Sequence, residues 1–506
     1  MMIKLDYVLD HITMYRLVLY TLLAYLGVAT ILAFFHQFAF SPLSLALSTG
    51  FLVVMCWAAN TVLAYIFKVP TNLESATITA LILALIIDPA KSPLGVQFLG
   101  WAAILAMASK YLLAIQSKHI FNPAAIAVVI TSFVLGESAS WWVGTGVMLP
   151  FTLAGGLLIA RKLRQIDMVA VFAAVAILGV VAASLIQGTS ISREVQQLVV
   201  ESPLFFFGTI MLTEPLTSPP TKDLRRIYGA LTGILIVPAV HIAHLYSTPE
   251  LALVAGNLFA FIVSPKYTMR FRLKRKNRLS PDIVDFILTP TRSITFAPGQ
   301  YMEWTLAHPH PDSRGNRRFF TIASSPTEGV VRLGVRFYQE GSTFKRALWM
   351  MDGRTRLLGA HVAGDFTLPK DAREKLVFIA GGIGITPFRS MLKYLVDTRQ
   401  KRNIILFYVN RNANDFIYKD VLGEAQTRLG VRTIYTLTDT TSVPANWQGA
   451  VGRLSPDMIR EAAPDFMERT FYLSGPPSMV HAYERVLKEM GVRHRQIKTD
   501  FFPGLV

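Results

Sequence analysis

The chain has a single cysteine, Cys56. That excludes an internal disulfide, a cysteine-ligated iron–sulfur cluster and a cysteine-rich zinc site, and no other metal-ligand spacing stands out. Charge is scarce as well: 16% of the 506 residues are Asp, Glu, Lys or Arg, against about 25% in soluble domains. Hydrophobic residues make up 52%, which excludes a disordered chain and argues against an ordinary cytosolic enzyme. The charges present are unevenly placed. Residues 1–265 carry 13 Lys/Arg and 11 Asp/Glu, whereas residues 266–506 carry 37 and 22. The first half is a membrane domain by composition and the second a soluble one. The densest block of cations runs from Lys266 to Arg278, directly after the last apolar run. A basic segment beside anionic membrane lipid accounts for it without nucleic acid.

Apolar runs near 14–35, 43–67, 76–88, 94–115, 122–136, 144–160, 167–187, 203–213, 227–246 and 250–264 predict about ten membrane segments. Several reach the roughly 20 residues that span a bilayer. The runs at 76–88 and 203–213 are short, as half-helices or shielded helices would be. No cleavable signal peptide is expected, because the first run is a full-length span. Loops after even-numbered segments carry eight Lys/Arg and the others two. That bias predicts an inner-membrane protein with both termini in the cytoplasm. Two polar clusters interrupt the apolar background, at membrane depth where polar groups are costly. One runs from Lys118 to Ala125 and includes His119, with Asn122 placed as an N-cap and Pro123 at the first helical position. The other is Thr213-Glu214-Pro215-Leu216-Thr217-Ser218-Pro219-Pro220-Thr221, where prolines end a short helix.

The second half changes pattern. Ile283–Leu288 and Phe296–Tyr301, with a Pro-Gly turn, suit a small antiparallel barrel. From about residue 374 a strand, the turn Gly381-Gly382-Ile383-Gly384, a helix and a second strand make a βαβ unit. Such a turn lets amides approach a phosphate. Arg318-Phe319-Phe320-Thr321 offers a cation, an aromatic ring and a hydroxyl on one extended segment. Gly341-Ser342-Thr343 opens a helix whose free amides suit a pyrophosphate. Phe471–Ser474 runs as a strand into Gly475-Pro476-Pro477, and Phe501-Phe502 stand near the chain end. The expected order is a membrane domain at 1–265, a basic linker at 266–279, a barrel at 280–370 and a parallel α/β domain at 371–506.

The two membrane turns together resemble the family of the Rnf complex D subunit and the sodium-pumping NADH:quinone oxidoreductase B subunit, over roughly residues 70–265. The resemblance implies flavin in the membrane domain and electron passage to quinone or a redox partner subunit. The family's covalent FMN sits on the threonine of an S-G-A-T segment between the turns. Here Ser75-Ala76-Thr77 precedes the first turn and lacks the glycine, and Gly144-Thr145-Gly146 matches only loosely by position. Noncovalent FMN or quinone remains open. The four segments of the second half, in their order, resemble the ferredoxin–NADP reductase superfamily over about residues 270–506. That implies FAD and NAD(P)H, with Arg318 on FAD phosphate, Phe320 packed on the flavin, Thr321 near flavin N5, and Gly341, Ser342 and Thr343 on pyrophosphate. It places Gly382, Gly384, Thr386, Gly475 and Pro476 at the nicotinamide nucleotide and Phe501 or Phe502 by the isoalloxazine. Thr321, Ser474 and Phe502 are then the candidate catalytic residues. The superfamily usually has Tyr at position 320 and often Cys at 474. Arg411 could meet a 2′-phosphate, which leaves NADH and NADPH both possible.

The function expected is an oxidoreductase that passes electrons from cytoplasmic NAD(P)H through FAD to an acceptor in or at the membrane domain. One alternative is a scaffold or ion conduit with a vestigial reductase domain. Another is a ferric-reductase-like haem protein, which needs two pairs of stacked histidines that the sequence does not provide.

Overall fold

The computed structural model describes residues 9, 12–68, 73–115, 118–242, 245–264, 268–312, 315–339, 341–441 and 443–500. The chain divides into two compact units, Met1–Tyr267 and Thr268–Val506.

The first unit is helical. Each of the ten apolar runs contains helix, but lengths differ from expectation. Among the described residues three helices are long and apolar enough to cross a membrane: Met14–Phe34, Pro42–Phe67 and Ile166–Gln187. These helices leave large apolar side chains on the outside, such as Phe34, Tyr65, Leu178 and Ile186. A water-facing surface would not tolerate such a belt. Ten spanning helices are therefore not what the helix lengths support. The reason is chain punctuation. Leu73–Ile86 stops at Asp88-Pro89, Pro123–Leu135 starts late behind Asn122, and the run at 203–213 is a short helix passing into a π-helical stretch, Phe207–Met211. An amphipathic helix, Ile191–Val200, was not expected at all.

One succession of elements occurs twice in this unit. An apolar helix ends in an acid-Pro-x-x-Ser-Pro turn, at Asp88–Pro93 and again at Glu214–Pro219. A helix follows, Pro93–Leu112 or Lys222–Leu235. Then comes a tiny hairpin, Ala114–Ile115 with Lys118–His119 or His241–Ile242 with Leu245–Tyr246. A helix with Pro in its first turn closes each copy, Pro123–Leu135 and Pro249–Val263. The two N-caps are Asn122, whose Oδ1 accepts from the amides of Ala124 and Ala125 at 3.1 Å, and Thr248.

The second unit holds two six-stranded sheets. The first is antiparallel and curled. Its strands are β1 (Met269–Ser280), β2 (Ile283–Pro290), β3 (Tyr301–Leu306), β4 (Arg317–Thr321), β5 (Val331–Arg336) and β6 (Leu357–Ala363), in the spatial order β4-β3-β6-β1-β2-β5. The amide of Ala323 donates to Arg332 O at 2.9 Å, drawing the chain beyond β4 onto β5. Strand β1 corrects the expected linker at 266–279. Alternation exposes Arg270, Arg272, Lys274, Lys276 and Arg278, while Phe271 enters the barrel core beside Trp304. A stretch with period two pairs as a strand whatever its charge.

The second sheet is parallel, with β7 (Leu376–Gly381), β8 (Ile404–Asn410), β9 (Arg432–Leu437), β10 (Ala450–Val451), β11 (Thr470–Ser474) and β12 (Ile497–Asp500). Its order is β10-β9-β8-β7-β11-β12. Every residue of β7 and β8 is buried, as fits central strands covered on both faces. The order reverses direction at β7, so a crevice is expected beyond the carboxyl ends of β7 and β11.

Candidate functional site

Register brings three sequence segments to that crevice. Ala380 of β7 pairs with Ser474 of β11 and with Tyr408 of β8, and Ser474 pairs with Asp500 of β12. Beyond β7 the chain turns through a short 3-10 segment, Gly382–Ile385, into the helix Thr386–Asp397. Gly382 has φ +56°, which an L side chain resists. Gly384 lies so close to the other loop that an added Cβ would come within 2.6 Å of Gly475 Cα and closer still to the Ser474 backbone. Glycine there lets the two strand-end loops touch. Thr386 and Ser474 are both buried, and Thr386 Oγ1 donates back to Ile383 O at 3.1 Å. Pro476 caps the helix Pro477–Glu489. The expected nucleotide residues Gly382, Gly384, Thr386, Ser474, Gly475 and Pro476 thus meet at the carboxyl ends of β7 and β11.

The expected flavin residues gather on the barrel. Arg318 and Phe320 stand on β4, and Thr321 ends it, opposite Tyr301. The Arg318 guanidinium is buried and lies 5.3 Å from the Phe344 ring centre, and Phe320 lies 6.1 Å from the same ring. Phe344 belongs to the helix Thr343–Met350, capped by the Ser342 hydroxyl. Asp312 was not singled out in the sequence, yet its carboxylate links these parts. It accepts from Arg318 Nη2 at 3.4 Å and from the Thr343 amide at 3.1 Å. A bound-in anion between that cation and that helix terminus tests the fit: both donors converge on one negative group, as a dinucleotide pyrophosphate requires. His308 joins through Thr343 Oγ1 at 3.0 Å. The residues present therefore fit FAD on the barrel. Phe501 and Phe502 lie outside the described residues.

A second polar cluster lies in the helical unit, where both membrane turns come together. Asn122 Nδ2 donates to Glu214 Oε2 at 2.9 Å, Glu214 Oε1 lies 3.3 Å from His119, and Thr217 donates to Glu214 at 3.1 Å. Asn257 accepts from the Asn122 amide at 2.8 Å and donates to the Tyr228 hydroxyl at 2.9 Å. Beside them a cavity of about 70 Å³ is lined by the polar Lys110, Asn122, Thr213 and Glu214 and by the apolar Val18, Ile78 and Ile82. Lys110 donates to Ser75 and Thr79. Lys110 and Asn257 escaped the sequence reading because each lies within an apolar run, Lys110 in the last turn of Pro93–Leu112 and Asn257 in the middle of Pro249–Val263.

Comparison with known proteins bears on the second unit. Residues 378–485 match the family described as Oxidoreductase NAD-binding domain. The C-terminal unit is a ferredoxin–NADP reductase-like FAD/NAD-binding module. The chain is accordingly an NAD(P)H-dependent FAD oxidoreductase. It is 28% identical over 244 residues to NADH-cytochrome b5 reductase 1 of Ajellomyces capsulatus, covering 46% of this chain and 77% of the relative. It is 29% identical over 248 residues to the reductase component of propane 2-monooxygenase of Rhodococcus jostii, covering 47% and 64%. Against a flavohemoprotein of Rhodopirellula baltica the figures are 28% over 247 residues, 46% and 60%. Among solved structures it is similar to a cytochrome P450 reductase of Amycolatopsis, at TM-score 0.42 and 23% identity, covering 47% of this chain and 71% of that one. It is also similar to the cytochrome b5 reductase domain of Ulva prolifera nitrate reductase, at TM-score 0.40 and 20% identity, covering 46% and 97%.

Proposed function

We propose that this chain takes reducing equivalents from cytoplasmic NAD(P)H and delivers them to an acceptor held in or at its helical unit. The observation that supports this most directly is one chain joining the reductase module to three apolar helices of spanning length. The named relatives include the reductase component of propane 2-monooxygenase, and here the acceptor is carried on the same chain. FAD held there would supply the redox chemistry, accepting two electrons as hydride from the dihydronicotinamide and releasing them one at a time.

The chain's own residues orient and exclude water. Arg318, Gly341, Ser342 and the amide of Thr343 hold the pyrophosphate, with Asp312 yielding its place to it. Phe320 packs on the ring system, and the Thr321 hydroxyl sits at its edge. Gly382, Gly384 and Thr386 receive the nucleotide, Ser474 with Gly475 and Pro476 walls the nicotinamide, and Phe501 or Phe502 is the aromatic assigned to the isoalloxazine. Thr321, Ser474 and Phe502 are the groups that touch the reacting atoms. In the helical unit, the cavity beside Lys110, Asn122 and Glu214 takes a planar acceptor with carbonyl oxygens, a quinone or a noncovalent FMN. Amide and ammonium donors along an apolar slot suit such a ring. The exposed cations of β1 lie on anionic lipid of the inner membrane face, with both termini cytoplasmic. The ten apolar runs cross or enter that membrane, several as half-length elements.

Flavin extraction with and without acid denaturation tests this reading. One extractable FAD per chain, with NADH- or NADPH-driven bleaching, supports it. A colourless protein that oxidises neither nucleotide would instead make the module vestigial and the chain a scaffold.

A further inference from the structure

The helix Thr386–Asp397 begins at the nucleotide turn and carries Arg389 within its first turn. This guanidinium is 1% exposed. It reaches across to the segment that follows Thr321. Nη1 donates to Ala323 O at 2.8 Å and to Glu328 Oε2 at 2.6 Å, and Nη2 donates to Glu328 Oε1 at 2.8 Å. The neighbouring Ser390 hydroxyl donates to Ser324 O at 2.6 Å. At the far end of the same helix Asp397 accepts from Thr327 Oγ1 at 2.5 Å. The barrel side is braced in turn. Asp285, wholly buried on β2, accepts from Arg332 Nε at 2.8 Å and from the Tyr418 hydroxyl at 3.1 Å. The Arg389 guanidinium lies 5.3 Å from the Tyr418 ring centre. Close approach accompanies these bonds, since a Cβ on Gly334 would fall 2.7 Å from the Tyr418 hydroxyl and 2.9 Å from Thr386 Cγ2.

Buried ion pairs are poor sources of stability, because desolvation cancels most of their attraction and apolar residues would pack as well. A bidentate arginine–carboxylate pair does impose one geometry, through two parallel bonds. We propose that Arg389 and Glu328, with Ser390, form a positioning clamp that fixes the loop 322–328 against the helix 386–397 and so sets the separation of flavin and nicotinamide. The inference rests on the reading of Thr321 as flavin-side and Gly382–Thr386 as nucleotide-side. Arg389 and Glu328 spend their side-chain bonds on each other and on the Ala323 carbonyl and Ser325 amide. Their effect is carried by the backbone of Ala323 and Ser324 on one side and by the helix start on the other. A misplacement of about 1 Å can cost about a hundredfold in rate.

The test uses the full chain with Arg389→Met, Glu328→Gln and the milder Ser390→Ala. Each is compared with the unaltered protein for FAD content, affinity for unreactive NAD+, the anaerobic rate of flavin bleaching by NADH, and the isotope effect with deuterated NADH. Amide hydrogen exchange is followed on the FAD-free protein. The clamp predicts near-normal FAD content and NAD+ affinity, a bleaching rate about 10- to 100-fold lower, a larger isotope effect, and faster exchange in 322–328 and 386–397 together. Ser390→Ala should show the same pattern, weaker. Rates that fall only in proportion to lost FAD or NAD+, with an unchanged isotope effect, would reduce these residues to ordinary packing support. So would exchange that rises in one segment alone. An unaltered protein that NADH and NADPH both fail to bleach would refute the reductase reading, and the exchange experiment would then decide the clamp by itself.

Discussion

Replacing Gly384 by alanine probes the nucleotide crevice at its narrowest point. The new Cβ would meet Gly475 Cα at 2.6 Å, and the atoms in its way are backbone, so no flexible side chain can swing aside. Ordinary contact begins near 3.4 Å. One of the two loops must therefore retreat by roughly 1 Å, an overpacking that costs typically 1–3 kcal/mol. Both loops carry nucleotide contacts in the proposed function. The same displacement should slow hydride transfer by about a hundredfold. Arg318 and the helix Thr343–Met350, the groups read as holding FAD, belong to neither loop, so FAD content should hold. The assay is NADH-driven ferricyanide reduction by flavin-replete protein, with FAD occupancy read from the absorbance spectrum. A variant that keeps its rate would refute the placement of the nucleotide between these loops. Equal loss of FAD and activity would also contradict it, because the perturbation would not be local.

Three further outcomes follow from the same geometry. Arg318→Ala removes a charge-assisted bond of about 1.5–3 kcal/mol, so FAD affinity should fall about 10- to 150-fold in a fluorescence titration, while helix content by circular dichroism stays. Burial pushes the Glu328 carboxyl up, but bonds from Arg389 outweigh it and hold its pKa below the usual glutamate value. Its stabilising effect is thus present above about pH 4.3 and lost as pH falls through the depressed value; Glu328→Gln should flatten that acid limb in denaturant titrations. Burial outweighs Arg332 at Asp285 and raises its pKa, so this residue acts oppositely. Its contribution is full below about pH 3.9 and lost as pH rises through the raised value, and Asp285→Asn should cost less stability at neutral pH than at acid pH.

Much of the reductase module is legible in the sequence because its signals are local. Gly382 needs a positive φ, Gly384 needs close approach, and the largely apolar stretches at 283–288 and 376–380 give their strands directly. The partners that complete the site are not local. Asp312 joins Arg318 only through the fold, and Arg389 meets Glu328 across 61 positions. Neither spacing leaves a mark that periodicity could reveal. Charge misled at β1, where seven cations from Lys266 to Arg278 concealed a strand whose one buried hydrophobic side chain is Phe271. In the helical unit hydropathy found the segments but not all their ends: the runs at 144–160 and 227–246 hold the helices Leu149–Lys162 and Lys222–Leu235, with the apolar remainder in a 3-10 turn and a small strand pair. The doubled acid-Pro-x-x-Ser-Pro turn was readable throughout. It is separated by 126 residues, Asp88 to Glu214, and shows only when the two halves are laid side by side.

The central claim is that reducing equivalents enter at the crevice beyond β7 and leave through the helical unit. Anaerobic stopped-flow absorbance of the flavin, on full-length protein in lipid nanodiscs, tests it directly. NADH bleaches the flavin, and a quinone is then added to the unaltered protein and to Glu214→Gln and Asn122→Ala. The account predicts fast reoxidation in the unaltered protein and slow reoxidation in both variants, with bleaching equal in all three. Reoxidation at one rate in all three would contradict it.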